Sequence, residues 1–184
     1  KWVTPSRDLI NAFKKEGDEV RFKESVVYYD CSWSNYYPSD NYPFMYKCRS
    51  ANSSIIKYRY ADVLLLKAEA LIMQDTPDLE GAADIIDEVR DRAKLGALSS
   101  STRSNKDALL NALLKERRLE LAFEGQRWFD LVRLDKVEEV MNAVHAKDSG
   151  RKAQVYTYDK NSYRLPIPQS VIDANDKIHQ NPGY

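Results

Sequence analysis

The 184-residue chain has few of the features that mark charge-driven or membrane-spanning proteins. Its 28 Lys and Arg residues are balanced by 28 Asp and Glu residues, which leaves a formal net charge of zero. Nucleic-acid binding normally requires a basic surplus, and so does electrostatic anchoring to a membrane. The longest apolar runs, such as residues 63–66, are far too short to cross a bilayer. We therefore expect no nucleic-acid partner and no membrane-spanning segment.

The chain also has little that points to catalysis or metal binding. His145 and His179 are the two histidines, and neither lies in a recognisable arrangement with a serine or cysteine nucleophile. Cys31 and Cys48 are too few for a metal framework, and they form no C-x-x-C pair. The six glycines form no phosphate-binding loop. We predict no catalytic residues, no metal site and no cofactor.

What the chain does have is helical periodicity through its centre. Ala61, Leu64, Leu65, Ala68 and Ile72 follow the i, i+3, i+4 pattern of one helix face, which predicts a helix over residues 59–74. The same spacing predicts further helices. The second predicted helix ends near Gly96, and the third runs from Ser104 or Asn105 to about Gly125. The fourth begins at Trp128, and a helix restarts at Asp135.

These patterns predict a mostly α protein with irregular loops and a few short strands. The first two helices have the length and short turn of a helical hairpin, similar to one tetratricopeptide unit, although an ordinary antiparallel bundle fits the periodicity as well. We expect an irregular, aromatic-rich segment over residues 1–58, with a short helix near residues 8–13 and strands at 26–29 and 54–58. Residues 59–184 form the helical domain and tail, with an extended stretch at 163–168 and a short helix at 169–174.

An aromatic loop, residues 28–46, contains eight of the chain's twenty aromatic side chains. Serine, asparagine, aspartate and proline are interleaved with them, and such a mixture buries poorly. Flat aromatic faces beside amides and carboxylates suit sugar rings, because the C–H faces stack and the hydroxyls find partners. The alternative is that the tyrosines pack onto the helices or onto another domain. The predicted ligand-binding residues are Trp33, Asn35, Tyr36, Tyr37, Asp40 and Tyr42.

Two cysteines flank most of the aromatic loop. A disulfide between Cys31 and Cys48 would close it and contribute ~3 kcal/mol in the chain-entropy model. Two buried free thiols are the alternative reading.

A charge-rich run over residues 115–133 supplies the other candidate cluster. Arg117 falls within an apolar stripe, where an unpaired charge is costly, so we expect it to be paired. An acid/base pair of Glu120 and Glu124 is the enzymatic alternative, but abundant arginines favour ion pairs and nothing visible raises a carboxylate pKa. We predict a structural ion-pair network that holds the third helix against the fourth. Its members are Arg117, Glu120, Glu124, Arg127 and Asp130.

Several ordered motifs resemble the SusD/RagB family. The run RYADVLLL at residues 59–66, followed by AEA at 68–70, is similar to the family's characteristic helix, and residues 89–95 are similar to the next one. Residues 116–133 contain ERR, EL, FEG, RW and DL followed by an arginine, which is the family's most recognisable block. LPIP at 165–168 and QNPGY at 180–184 resemble its C-terminus. The resemblance covers about residues 59–184, with a weaker match at the start.

The resemblance implies a non-enzymatic lipoprotein on the outer face of the Bacteroidetes outer membrane. Such proteins bind oligosaccharides, or other nutrients such as peptides, and pass them to a TonB-dependent transporter. The fold implied has tetratricopeptide-like helix pairs with ligand-binding loops on one face. Family members are longer than this chain, so we expect their N-terminal half and lipidated cysteine to lie outside these residues. The rival interpretation is a helical scaffold that docks proteins, with ligand contacts made elsewhere.

Overall fold

The computed structural model of the protein describes residues 3–47, 49–50, 56–147 and 157–184, apart from the side chains of 145–147. Within these residues the chain is mostly helical, as predicted. The helices are α1 (Arg7–Glu16), α2 (Glu19–Ser25), α3 (Tyr60–Met73), α4 (Leu79–Arg92), α5 (Ser100–Arg103), α6 (Lys106–Glu120), α7 (Arg127–Arg133), α8 (Val137–Lys147) and α9 (Gln169–Ala174). Two strands, β1 (Val26–Tyr29) and β2 (Tyr42–Met45), and a 3-10 turn at Lys160–Tyr163 complete the elements.

Side-chain caps fix the starts of two helices in the central region. The Asn105 side chain accepts a hydrogen bond from the Ala108 amide at 2.9 Å, which fixes the start of α6. The Asp78 carboxylate does the same for the Gly81 amide at the start of α4. The serine-rich stretch between α4 and α6 contains the one-turn helix α5. The predicted short helix at residues 169–174 is confirmed as α9.

The N-terminal segment is more regular than its sequence suggests. α1 extends from a Ser6 cap to Gly17, whose φ of 69° is the left-handed conformation that glycine adopts without strain. α2 was missed because it is short and mostly polar, but Asp18 caps it and its carboxylate accepts from the Arg21 amide.

Only one of the two predicted strands is found where expected. β1 occupies residues 26–29, but its antiparallel partner is β2 within the aromatic loop, in a register that pairs Val26 with Met45 and Tyr29 with Tyr42. Residues 56–59 have no regular structure, and the rest of the predicted strand at 54–58 lies outside the described residues. The aromatic loop is therefore the end of a β-hairpin, with residues 30–41 connecting its strands.

The chain divides into two compact units, residues 1–127 and 128–184. The first unit contains both the N-terminal segment and α3–α6. The core of the first unit lies among α3, α4 and α6, where Leu65, Ile72, Ile86, Leu109 and Leu113 have no exposed surface. Fully buried alanines on α3 and α4 permit close helix packing.

The second unit contains α7 from Trp128 onward, α8, α9 and the extended tail. Residues 165–168 have no regular structure, as their prolines require. The Gln180 side chain fixes this stretch by accepting from the Ile167 amide at 2.8 Å and donating to the Ile167 carbonyl at 2.9 Å. Among the helices described in either unit, none combines the length and the hydrophobicity that a bilayer crossing requires.

Candidate functional site

The aromatic loop is built on a small apolar base at the end of the hairpin. Cys31, Tyr42 and Phe44 are buried together there, 2–3% exposed. Trp33 lies over this base, with ring centroids 5.9 Å from Tyr42 and 6.2 Å from Phe44. Its side chain is nevertheless 60% exposed, so the indole is supported from below and accessible from above. Such a supported, exposed ring can stack against a sugar without first being ordered.

A cleft of about 840 Å³ lies within this loop. Its volume falls in the range of roughly 300–1,000 Å³ typical of small-molecule sites. Backbone groups, hydroxyls and an amide alternate with the aromatic rings around it. The lining residues are Arg7, Cys31, Ser32, Trp33, Ser34, Asn35, Tyr36, Tyr37, Pro38 and Ser39. We call this site the loop cleft.

Arg7 is the lining residue that lies outside the aromatic loop, and sequence reasoning missed it. Its guanidinium carbon lies 4.2 Å from the Tyr36 ring centroid and 4.6 Å from that of Tyr37, within cation–π distance of both. The guanidinium also donates a hydrogen bond to the Tyr36 carbonyl, and the Tyr37 hydroxyl donates to the Pro5 carbonyl at 3.0 Å. The first turn of α1 therefore fastens the loop. No local pattern could reveal this, because Arg7 and Tyr36 are 29 residues apart.

The structure brings four of the six predicted ligand-binding residues to the loop cleft, namely Trp33, Asn35, Tyr36 and Tyr37. Asp40 is exposed but does not line it. Tyr42 is 2% exposed, and its hydroxyl lies 2.8 Å from the Ser34 hydroxyl. In this position Tyr42 supports the loop from beneath and offers no free ring face.

The predicted disulfide involves a residue outside the described part of the chain. Cys31 is a buried free thiol in the structure, and Cys48 is not among the described residues. Among the described residues, the pairing of β1 with β2 closes the loop. In addition, the Cys31 amide donates to the Ser39 carbonyl at 2.7 Å.

The ion pairs predicted around α6 exist, but their partners differ from the expected ones. Arg117 is 2% exposed and pairs with Asp62 of α3, with 2.9 Å between Nη1 and Oδ1. Arg59, just before α3, reaches Glu120 at 2.6 Å and Glu124 at 2.7 Å. The ion pairs of Arg117, Glu120 and Glu124 therefore tie α6 and the turn after it to α3. The expectation that they would hold the third predicted helix against the fourth was wrong for these pairs.

A third arginine joins this network from the N-terminal segment. Arg21 of α2 is 7% exposed and contacts Asp18 and Glu116 at 2.5 Å each and Glu120 at 3.1 Å. The two remaining predicted members act elsewhere. Arg127 donates to the Leu114 carbonyl at 3.2 Å, whereas Asp130 pairs with Arg133 at 2.7 Å within the second unit.

The electrostatics of the network favour an architectural role. Burial alone would raise the pKa of Glu120, but Arg59, Arg92 and Arg21 outweigh it and lower the pKa below its ordinary value. For Glu116, burial is the larger effect and raises the pKa against Arg21 and Arg90. Arginine contacts surround both carboxylates, and neither lines the loop cleft. The described part of the chain also contains no cluster of His, Cys, Asp and Glu side chains that could hold a metal ion.

Comparison with known proteins identifies the family. The family model described as "SusD family" matches residues 39–184. SusD-like protein P38 of Formosa agariphila is 41% identical over 139 residues, which make up 72% of this chain and 25% of that protein. The chain belongs to the SusD family. It spans about a quarter of the length of this curated relative.

Solved structures of the SusD family share the fold. A SusD superfamily protein from Bacteroides vulgatus superposes with a TM-score of 0.73 at 23% identity, covering 98% of this chain and 44% of that one. A structure described as a laminarin-binding SusD-like protein has a TM-score of 0.61 at 26% identity, covering 99% of this chain and 40% of that one. The resemblance drawn from the sequence motifs is thus confirmed, and so is the mostly helical fold.

Proposed function

We propose that this chain binds an oligosaccharide in the loop cleft without converting it chemically. The observation that carries the proposal is the exposed Trp33 indole, held over the buried Tyr42 and Phe44 rings beside Asn35. The indole supplies a face for sugar C–H groups, and the neighbouring amide and serine hydroxyls supply donors and acceptors for sugar hydroxyls. Membership of the SusD family and the laminarin-binding relative support the same ligand class.

The wider role we propose is that of the family. In a longer, lipid-anchored protein at the outer-membrane surface, the loop cleft would capture the glycan and a TonB-dependent transporter would receive it. A glycan held by non-covalent contacts alone can be released intact, as delivery to a transporter requires.

The test is replacement of the exposed ring. Trp33→Ala should weaken binding of the cognate glycan about tenfold or more, since ring stacking in such sites contributes on the order of 1 kcal/mol beyond the area buried. Phe129→Ala is the matched control, because Phe129 is 66% exposed but lies in the other unit. Affinity gels or calorimetry with a glycan panel would measure the change. Equal affinities of Trp33→Ala and the parent protein would rule out this site.

A second candidate function is protein docking, and the outer face of α3 favours it. Tyr60, Val63 and Met73 are 72%, 53% and 53% exposed, so this helix presents apolar side chains to solvent as well as to the core. Such a face suits a protein partner. Under this alternative, ligand contacts, whether with a glycan or a peptide, are made by parts of a longer protein. Val63→Asp would then weaken capture of the transporter, whereas Trp33→Ala would leave glycan affinity unchanged.

A further inference from the structure

The loop cleft is lined by a positively charged side chain that comes from α1 and not from the aromatic loop. Among the described residues that line it, Arg7 is the one whose side chain is charged at neutral pH. The predicted acidic contributor, Asp40, is not in the lining. We infer that the loop cleft selects glycans that carry anionic oxygens, either the carboxylate of a uronic acid or a sulfate ester, and that Arg7 binds the anionic group. The inference rests on the proposed function and specifies its substrate class.

The Arg7 guanidinium is held in place before any ligand arrives. It lies against the rings of Tyr36 and Tyr37, which meet edge to face with centroids 4.8 Å apart. Its backbone is fixed in the first turn of α1, next to the Ser6 cap. A side chain that is already ordered loses little entropy when it binds a ligand. The planar fork of a guanidinium also matches two oxygens of a carboxylate or sulfate at once.

At this end of the cleft the acidic neighbour of Arg7 is engaged elsewhere, and a helix N-terminus adds partial positive charge. Asp8, the residue next to Arg7, is paired with Arg118 at 2.6 Å. The N-terminus of α1 adds the positive end of a ten-residue helix. Asp30 and Asp40 are exposed on the loop but do not line the cleft. Water screens such exposed charges more strongly than it screens a half-buried guanidinium.

Trp33 and Arg7 line the same cleft, so one glycan can use both. The indole provides a face for one sugar ring, and the guanidinium provides a fixed cationic point for an acidic substituent. A neutral glycan would use the first contact and gain a weaker hydrogen bond from the second, because its hydroxyl oxygens carry no charge. Selectivity between acidic and neutral glycans therefore depends on Arg7, whereas the basic capacity to bind sugar depends on Trp33.

The first experiment is an array of neutral, uronate-bearing and sulfated oligosaccharides, probed with the complete protein. We expect acidic glycans to bind best and their affinity to fall as NaCl is raised, because salt screens the ion pair. The uronate and sulfate arms identify which anion the cleft prefers. Preferential binding of neutral glycans such as laminarin would overturn the inference and leave the proposed function standing. Binding of no glycan at all would overturn both.

The second experiment assigns the selectivity to Arg7. Arg7→Gln should lower affinity for the acidic glycan about tenfold or more, as expected for a charge-assisted hydrogen bond, and change affinity for a neutral one far less. Arg7→Lys keeps the charge without the planar fork and should retain part of the preference. Arg49→Gln is the matched control, since Arg49 also stacks on a tyrosine, at 4.2 Å from the Tyr46 ring, but lies outside the cleft.

A purely structural role for Arg7 makes a different prediction. If the guanidinium only clamped the two tyrosines, Arg7→Gln would weaken acidic and neutral glycans by the same factor. That equal loss, measured on variants whose circular dichroism and tryptophan fluorescence match the parent, would overturn the inference. A change in the ratio of the two affinities would support it.

Discussion

The buried pair of Arg117 and Asp62 allows a sharp test of how α6 is fixed. The two side chains are 2% and 3% exposed and meet at 2.9 Å, deep between α3 and α6. Replacing Arg117 with Met keeps an apolar stem of similar length but leaves the Asp62 carboxylate buried without this partner. Because the pair lies outside the loop cleft, the substitution should change stability and not glycan affinity.

The magnitude follows from the burial of both groups. Removing one partner of a buried ion pair costs about 3–5 kcal/mol, because the remaining charge stays desolvated. For a chain of this length each 1 kcal/mol lowers the melting temperature by about 2–4 °C, so the expected decrease is about 6–20 °C. Replacing both residues, as in Arg117→Met with Asp62→Leu, removes the stranded charge and should recover most of the loss.

Thermal unfolding followed by circular dichroism would measure these changes, with glycan binding measured on the same samples. Arg49→Met serves as the surface control, since Arg49 and its partner Glu24 are 54% and 67% exposed and should contribute far less. The reasoning is refuted if Arg117→Met unfolds at the parent temperature. It is also refuted if the double variant is less stable than the single one. Selective loss of glycan binding by a fully folded Arg117→Met protein would instead show that Arg117 contributes to glycan binding.

Three further predictions concern pH, the tail and the thiols. Glu120 has a lowered pKa in the folded protein, so its contribution to stability is present above the ordinary pKa of 4.5 and is lost as the pH falls through the folded pKa. Glu120→Gln should therefore be less stable than the parent protein at pH 7, and the difference between their melting temperatures should narrow in acid. A difference that stays constant with pH would contradict this. Gly183 has a φ of +94°, and a Cβ at this position would lie 2.6 Å from the Cβ of Asn161. Gly183→Ala should therefore loosen the C-terminal tail and raise the hydrogen-exchange rate of its amides. Unchanged exchange would count against this packing. Because Cys31 is a free thiol in the structure, titration under denaturing conditions without reductant should find both cysteines reactive, and finding neither would support the disulfide between Cys31 and Cys48.

Much of the helical scaffold could be predicted because its signals are local. Apolar spacing over residues 61–72 predicted α3 almost to its ends, and Asn105 marked the start of α6 through its side-chain cap. The aromatic loop was also evident from composition, and four predicted contact residues line its cleft. α2 was missed because a short polar helix carries no apolar stripe.

The roles of individual side chains could not be predicted in the same way. Tyr42 looks like its neighbours in sequence, but pairing with Tyr29 in the hairpin places it in the base of the loop. The strand that pairs with β1 was not predicted, because it lies within the aromatic segment itself as β2. The position of the second strand in a hairpin depends on the pairing register and on which face is buried. An alternation of apolar and polar residues specifies both only weakly in a stretch rich in turn residues.

Residue patterns along the chain specify the helices that carry an apolar stripe, the family and the presence of an aromatic, sugar-compatible loop, because periodicity, capping and ordered motifs act over a few residues. Only folding brings Arg117 to Asp62, 55 residues away, and places Arg7 on the rings of Tyr36 and Tyr37 in the cleft. Sequence patterns cannot reveal these contacts, because a buried charge requires a partner but does not specify which one. The choice depends on which side chains the packing of α3 against α6, and of α1 against the loop, brings within reach.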